Sequence, residues 1–131
     1  MNIREWCQEK RITATAERVD SNPTMEDGGD MDHWRVTLRR GKRRMVTHYS
    51  LGWGHNGRAP KAEEVLDCIA SDAAGVENAR DFSDWCADYG YSDDSRKAER
   101  IFRACAAEAR QLRRWLGDGL YDDLLWHVER L

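Results

Sequence analysis

The stretch Trp34-Arg-Val-Thr-Leu-Arg-Arg-Gly-Lys-Arg-Arg-Met-Val-Thr-His-Tyr-Ser-Leu51 decides the fold. Trp34, Val36 and Leu38 alternate with Arg35, Thr37 and Arg39, and then Met45, Thr47, Tyr49 and Leu51 alternate with Val46, His48 and Ser50. Successive side chains of a strand point to opposite faces, so each run reads as a half-buried strand. Between them, Arg40-Gly-Lys-Arg43 leaves room only for a tight connection. Upstream, Ile12-Thr-Ala-Thr-Ala-Glu-Arg-Val19 alternates in the same way and is rich in β-branched residues. The three runs predict an antiparallel meander with one half-buried face. Asp20 to Asp32 carries Asn22-Pro23 and Gly28-Gly29 and reads as a long acidic loop.

Outward from the meander the period changes. Ile3, Trp6 and Cys7 give the first ten residues the spacing of a short amphipathic helix. From Pro60 onward the repeat is about 3.6 residues. Pro60 suits a first helical position, with Glu63 and Glu64 in the first turn, Val65, Leu66, Cys68 and Ile69 facing inward, and Gly75 as the expected end. A shorter helix is expected from Phe82 to Tyr89, capped by Asp81 and stopped by Gly90. The longest is expected over 93–116: Ala98, Ile101, Phe102, Cys105, Ala109, Leu112 and Leu116 share one stripe, and Ser92, Asp93 and Asp94 supply the capping signal. Its other face carries Arg96, Lys97, Arg100, Arg103, Arg110, Arg113 and Arg114. After Gly117, Leu120, Tyr121, Leu124, Leu125, Val128 and Leu131 form a last amphipathic helix that can fold back on it. The expected fold is α+β: a short N-terminal helix, a three-stranded antiparallel sheet, then a cluster of about four helices packed on it. A single domain, 1–131, would combine a helix plus meander in 1–58 with a helical part in 59–131.

With 131 residues, 40% of them hydrophobic and 34% charged, the chain can furnish one small core. That size excludes a multi-domain enzyme, and the apolar fraction argues against a wholly disordered chain. No run approaches the roughly 20 apolar residues of a membrane span, and the start lacks the apolar stretch of a secretory signal, so a cytoplasmic location is expected. Cys7, Cys68, Cys86 and Cys105 are widely spread without a CxxC pair and read as buried free thiols in a reducing compartment. Together with His33, His48, His55 and His127 they offer no short ligand spacing for zinc, and no DxDxDG loop occurs. No metal and no cofactor are expected.

Charge is segregated along the chain. The net charge of −3 resolves into +3 over 1–58, −8 over 59–94, +5 over 95–116 and −3 over 117–131. Five cations in the six residues from Arg39 to Arg44 (Arg39, Arg40, Lys42, Arg43 and Arg44) repel one another, and an anionic partner would relieve the strain. With Arg35 on the same strand, they could follow a groove or a backbone. The plainer reading is a solvated edge that prevents sheet-to-sheet aggregation. The acidic block, Glu63 to Asp94, reads as mimicry of a phosphate track or, more plainly, as helix caps and partners for the arginine face of 93–116. Gly52-Trp-Gly-His-Asn-Gly57 matches GxGxxG, but Pro60 opens the helix after the last glycine and no parallel second strand follows, so a loop is the better reading. In that loop Trp53, with Arg58 beside it, is a candidate contact residue; Trp126 is another exposed-anchor candidate, whereas Trp34, Trp85 and Trp115 read as core. Asp123 and His127 lie four apart on a helix without a nucleophile or an oxyanion turn, so a surface pair is the reading and no catalytic residue is assigned.

Val65-Leu-Asp-Cys-Ile-Ala-Ser-Asp-Ala-Ala-Gly-Val-Glu-Asn-Ala-Arg80, Phe82-Ser-Asp-Trp-Cys-Ala-Asp-Tyr-Gly-Tyr91 and Asp94-Ser-Arg-Lys-Ala-Glu-Arg100 resemble a family of small phage and prophage proteins. The likeness extends over nearly the whole chain, including Glu17-Arg-Val-Asp-Ser-Asn22 and Trp115-Leu-Gly-Asp118. It implies a genetic setting rather than an activity and carries no catalytic residue over. In that setting the expectation is a non-enzymatic protein in the host cytoplasm. It would bind and disable a host protein or ribonucleoprotein complex, anti-CRISPR in type, by occluding a nucleic-acid or subunit surface. The alternative is a phage DNA-binding accessory factor acting through Arg35, Arg39, Arg40, Lys42, Arg43 and Arg44, and a scaffolding role is a third possibility.

Overall fold

The computed structural model describes residues 1–22, 31–52 and 57–129. In chain order the elements are α1 (Ile3–Glu9), β1 (Ile12–Val19), β2 (Met31–Arg40), β3 (Arg43–Gly52), α2 (Ala62–Asn78), α3 (Phe82–Tyr89), α4 (Arg96–Leu116) and α5 (Asp118–Glu129). The architecture is α+β, with a short N-terminal helix, an antiparallel sheet in the order β1-β2-β3, and then helices. Two compact units are present, Met1–Cys68 and Ile69–Leu131, and their boundary falls inside α2.

In the first unit, Asn2 caps α1 by accepting from the Glu5 amide at 2.8 Å, and Trp6 and Cys7 bury its inner face. Arg11 follows in the left-handed region at φ 57°, where glycine is usual after a helix, and turns the chain into β1, against which α1 packs. Pairing then fixes which side chains share a face. Leu38, Val36 and Trp34 of β2 lie opposite Met45, Thr47 and Tyr49 of β3, forming the inner row. Of these, all but Tyr49 are buried. Burial pushes the Tyr49 phenol up to about 12. Gly41 and Lys42 close the β2–β3 hairpin, and Gly41, at φ 60°, stands at the first central position, where a type II′ turn takes glycine. Strand β2 starts at Met31, whereas the loop was expected to run to Asp32. Backbone pairing of Met31 with Gly52 and Asp32 with Leu51 extends the ladder regardless of side-chain polarity.

Pro60 precedes α2 rather than opening it. The helix begins at Ala62, and Glu64 accepts from the Lys61 amide at 3.0 Å, half of a capping box. Val65 and Leu66 are fully buried.

In the second unit α2 continues through Gly75 to Asn78 instead of ending at the glycine. Gly75 serves close approach rather than termination: a Cβ there would sit 2.2 Å from the Tyr89 hydroxyl. Helix α3 spans the expected residues, with the Asp81 side chain accepting from the Asp84 amide and Gly90 in the left-handed conformation at its end. Helix α4 starts at Arg96 under a Ser95 cap, later than the expected 93. Ser92, Asp93 and Asp94 are engaged before it, Ser83 Oγ donating to Asp93 at 3.0 Å and Ser92 Oγ to Asp94. Ala98, Ile101, Cys105, Ala109, Leu112 and Leu116 are buried, as their spacing predicts, and Trp115 is buried with them, while Phe102 is half-buried. After Gly117, α5 packs on α4 and buries Tyr121, Leu124 and Leu125. Tyr121 donates to Glu77 Oε1 at 2.9 Å beneath the Arg113 guanidinium, which lies 4.6 Å from the ring centroid.

All four cysteines are free. Three are buried as expected, but Cys68 is exposed. Burial raises the Cys7 thiol to about 12, which makes it a poor nucleophile.

Asp72, half-buried on α2, has its carboxyl raised by burial from 3.8 to about 6. The unfolded chain releases that proton near pH 4 and the folded chain only near pH 6, so this group's contribution to stability is lost as pH rises through the window. Asp72→Asn is expected to be more stable than the parent by about 1 to 3 kcal/mol near neutral pH. The difference should vanish near pH 4. Urea unfolding midpoints at the two pH values check this.

Candidate functional site

Strand pairing sorts the basic residues into two sets. Arg39 lies directly opposite Arg44, and Arg40 directly opposite Arg43, around the two-residue turn that holds Lys42. The alternation puts Arg39 and Arg44 on the outer row with Arg35, whereas Arg40 and Arg43 extend the inner row beyond Leu38 and Met45, Arg40 next to Ile12. One continuous basic patch in sequence is therefore a hairpin end with cations on both faces. Like charges directly opposite one another across a sheet are destabilising. Among the described residues, Arg40, Lys42 and Arg44 enter no ion pair.

The outer-row cations nearer the middle of the sheet are held in place. Arg35 Nε donates to Glu17 Oε1 at 2.7 Å across the β1–β2 ladder, where the two residues are register partners. Arg39 Nη1 donates to Thr15 Oγ1 at 2.9 Å. Each guanidinium has five N–H donors, so both retain donors beyond those bonds. His48, opposite Arg35, titrates below its ordinary value because it is partly desolvated and stands beside that cation. At neutral pH it adds a neutral ring rather than a charge. Thr15, Ala16, Glu17, Arg35 and Thr37 line an open depression of about 190 Å³ on this sheet.

Arg58 lies away from the hairpin end in chain order and is committed. Its Nη1 and Nη2 grip Glu64 Oε1 and Oε2 at 2.6 and 3.0 Å, a bidentate pair at the start of α2. The same Glu64 carboxylate caps the helix, so Arg58 clamps a helix end. Trp53 lies outside the described residues.

The helical part uses its acids locally. Asp81 and Asp84 cap the start of α3, Glu99 pairs with Arg103 within α4, and Glu77 bridges to Arg113 at 3.3 Å, the expected kind of contact with the arginine face. Asp123 and His127 stand 3.8 Å apart, longer than a hydrogen bond. Trp126 beside them is half exposed and meets the His127 ring edge to face. Among the described residues no group of three His, Cys, Asp or Glu side chains is placed to hold a metal ion, and no helix is long and apolar enough to cross a membrane.

One cluster went unread in the sequence. Ser50 Oγ lies 2.7 Å from His33 Nδ1, its register partner, and accepts from Asn22 Nδ2 at 3.0 Å. The fold alone brings these three together, since His33 and Ser50 come from two paired strands and Asn22 from the segment after β1. Among the described residues no carboxylate hydrogen-bonds to the imidazole, and the arrangement fastens Asn22 to β3 rather than forming a nucleophile triad. The antiparallel sheet also removes the context that GxGxxG needs for a dinucleotide.

No family model, curated protein or solved structure matches this chain.

Proposed function

We propose that this chain is a non-enzymatic, phage-type protein that disables a host defence or nucleic-acid-processing complex. It would act in the host cytoplasm, in the manner of an anti-CRISPR inhibitor, by laying the β2–β3 hairpin end on the nucleic acid that the complex must handle. The observation that carries the reading is the register of the hairpin, which sets Arg39 directly opposite Arg44 and Arg40 directly opposite Arg43. Two like-charged pairs in direct opposition are a standing repulsion, and a polyanion relieves it. Glu64, Glu17 and the capping acids are engaged elsewhere in the chain, and among the described residues Arg40, Lys42 and Arg44 enter no ion pair.

The same hairpin favours a second reading, an accessory DNA-binding factor that needs no complex. Adding the purified protein to the host's CRISPR effector separates the two. The inhibitor reading expects target cleavage to fall as protein is added and to recover with the hairpin arginines replaced by alanine. Cleavage and target binding that stay unchanged overturn it, and retention on free DNA in that same experiment selects the accessory factor.

A further inference from the structure

We infer that the outer face of the β1-β2-β3 sheet takes double-stranded, B-form DNA, with Arg35 and Arg39 of the central strand spanning its major groove. The inference rests on the reading that the hairpin meets nucleic acid. It adds which form of nucleic acid, and which of the two faces meets it.

Three observations carry it. First, among the described residues the outer face has no platform for bases. Trp34 and Tyr49 stand opposite each other on the inner row, and the outer row of β2 and β3 presents Arg35, Thr37, Arg39, Arg44, Val46 and His48. Single strands are gripped by stacking their bases on aromatic rings, and only imidazole is offered here. Second, Arg35 and Arg39 are four residues apart on one face of one strand, about 13 Å at the rise of a strand. The major groove of B-form DNA is about 12 Å wide and admits β-structure, whereas the deep, narrow major groove of A-form RNA does not. Arg44 beside Arg39 doubles the charge at one end of that span. Third, the surface between the two arginines is low and polar. Thr37 lies between them on β2, and the depression formed with Thr15 and Glu17 is open to solvent. Threonine hydroxyls donate to phosphates, and among the described residues lining the depression none is bulky enough to hold a duplex off the arginines.

Glu17 supplies an independent handle. It holds Arg35 through the 2.7 Å bond and places a negative charge on the face that DNA would approach. Removing that charge frees the guanidinium for phosphate or for a guanine edge.

The test is fluorescence anisotropy with a labelled DNA duplex and each of its separated strands at fixed salt. The expected result is duplex affinity at least about tenfold above either strand. Arg39→Ala with Arg44→Ala should weaken it, and Glu17→Gln should strengthen it. Single strands bound as tightly as the duplex, with both weakened by the arginine changes, overturn this inference and leave the nucleic-acid reading standing. Affinity for the duplex that Glu17→Gln leaves unchanged or lowers also overturns it. Failure of the parent protein to bind any of the three overturns both.

Discussion

Replacing Arg39, Arg40, Arg43 and Arg44 together by alanine is expected to lower affinity for nucleic acid by two to four orders of magnitude at about 0.1 M salt. Each cation that neutralises a phosphate contributes a salt slope of about 0.9, so the outer-row pair Arg39 and Arg44 is worth about 1.8 decades between 1 M and 0.1 M, and all four up to about 3.6 where Arg40 and Arg43 also reach phosphates around the turn. Folding should survive the change. The four side chains oppose one another in like-charged pairs, and alanine removes that repulsion, which offsets the lost Arg39–Thr15 hydrogen bond, while keeping the β2–β3 ladder. Thermal unfolding of the variant should therefore occur close to the parent temperature while binding is lost. A variant that binds as well as the parent would remove the hairpin from the account.

Trp85→Ala is expected to destabilise the helical unit by about 3 to 5 kcal/mol, the range for emptying a tryptophan site in a packed core. Trp85 is 2% exposed and is the hub of the aromatic cluster. Its ring stacks on Tyr91 with centroids 5.6 Å apart and on Phe82 at 6.3 Å, meets Phe102 edge to face at 5.3 Å, and touches Tyr89 at 4.9 Å. Such ring pairs add about 0.5 to 1.5 kcal/mol each beyond buried area. A loss of this size is a large share of the stability of an ordinary small domain. Trp85→Phe should be much milder, because it keeps a ring against Tyr91 and Phe102. Urea denaturation followed by far-ultraviolet circular dichroism checks both. A loss below about 1 kcal/mol for the alanine variant would mean that the cluster does not hold the unit together.

Much of the fold was legible because its periods are clean. Trp34, Val36 and Leu38 alternate without interruption, and the α4 stripe from Ala98 to Leu116 holds its three- and four-residue steps, so element type and order follow from spacing. Boundaries were less legible where a residue has two uses. Gly75 looks like a helix stop, yet it lies mid-helix because the Tyr89 hydroxyl needs its bare Cα. Ser92, Asp93 and Asp94 look like a cap, but Ser95 takes that position while Asp93 accepts from Ser83. The basic site was legible in composition and not in arrangement. Arg39 to Arg44 stand out in the sequence, but their division between two faces depends on the turn being the two residues Gly41 and Lys42. Partners distant in sequence were the least legible: Glu17 on Arg35, Glu64 on Arg58, and Asn22 with His33 on Ser50 all require the register or the turn of α2.

The central claim is that the β2–β3 hairpin end is an electrostatic nucleic-acid surface. Its most direct test is the dependence of duplex DNA affinity on salt, measured for the parent and for the four-alanine variant. The logarithm of the association constant is expected to fall with the logarithm of salt concentration with a slope steeper than about −2 in the parent, and the variant to lose most of that slope. A parent slope near zero, or equal slopes for the two proteins, would contradict it.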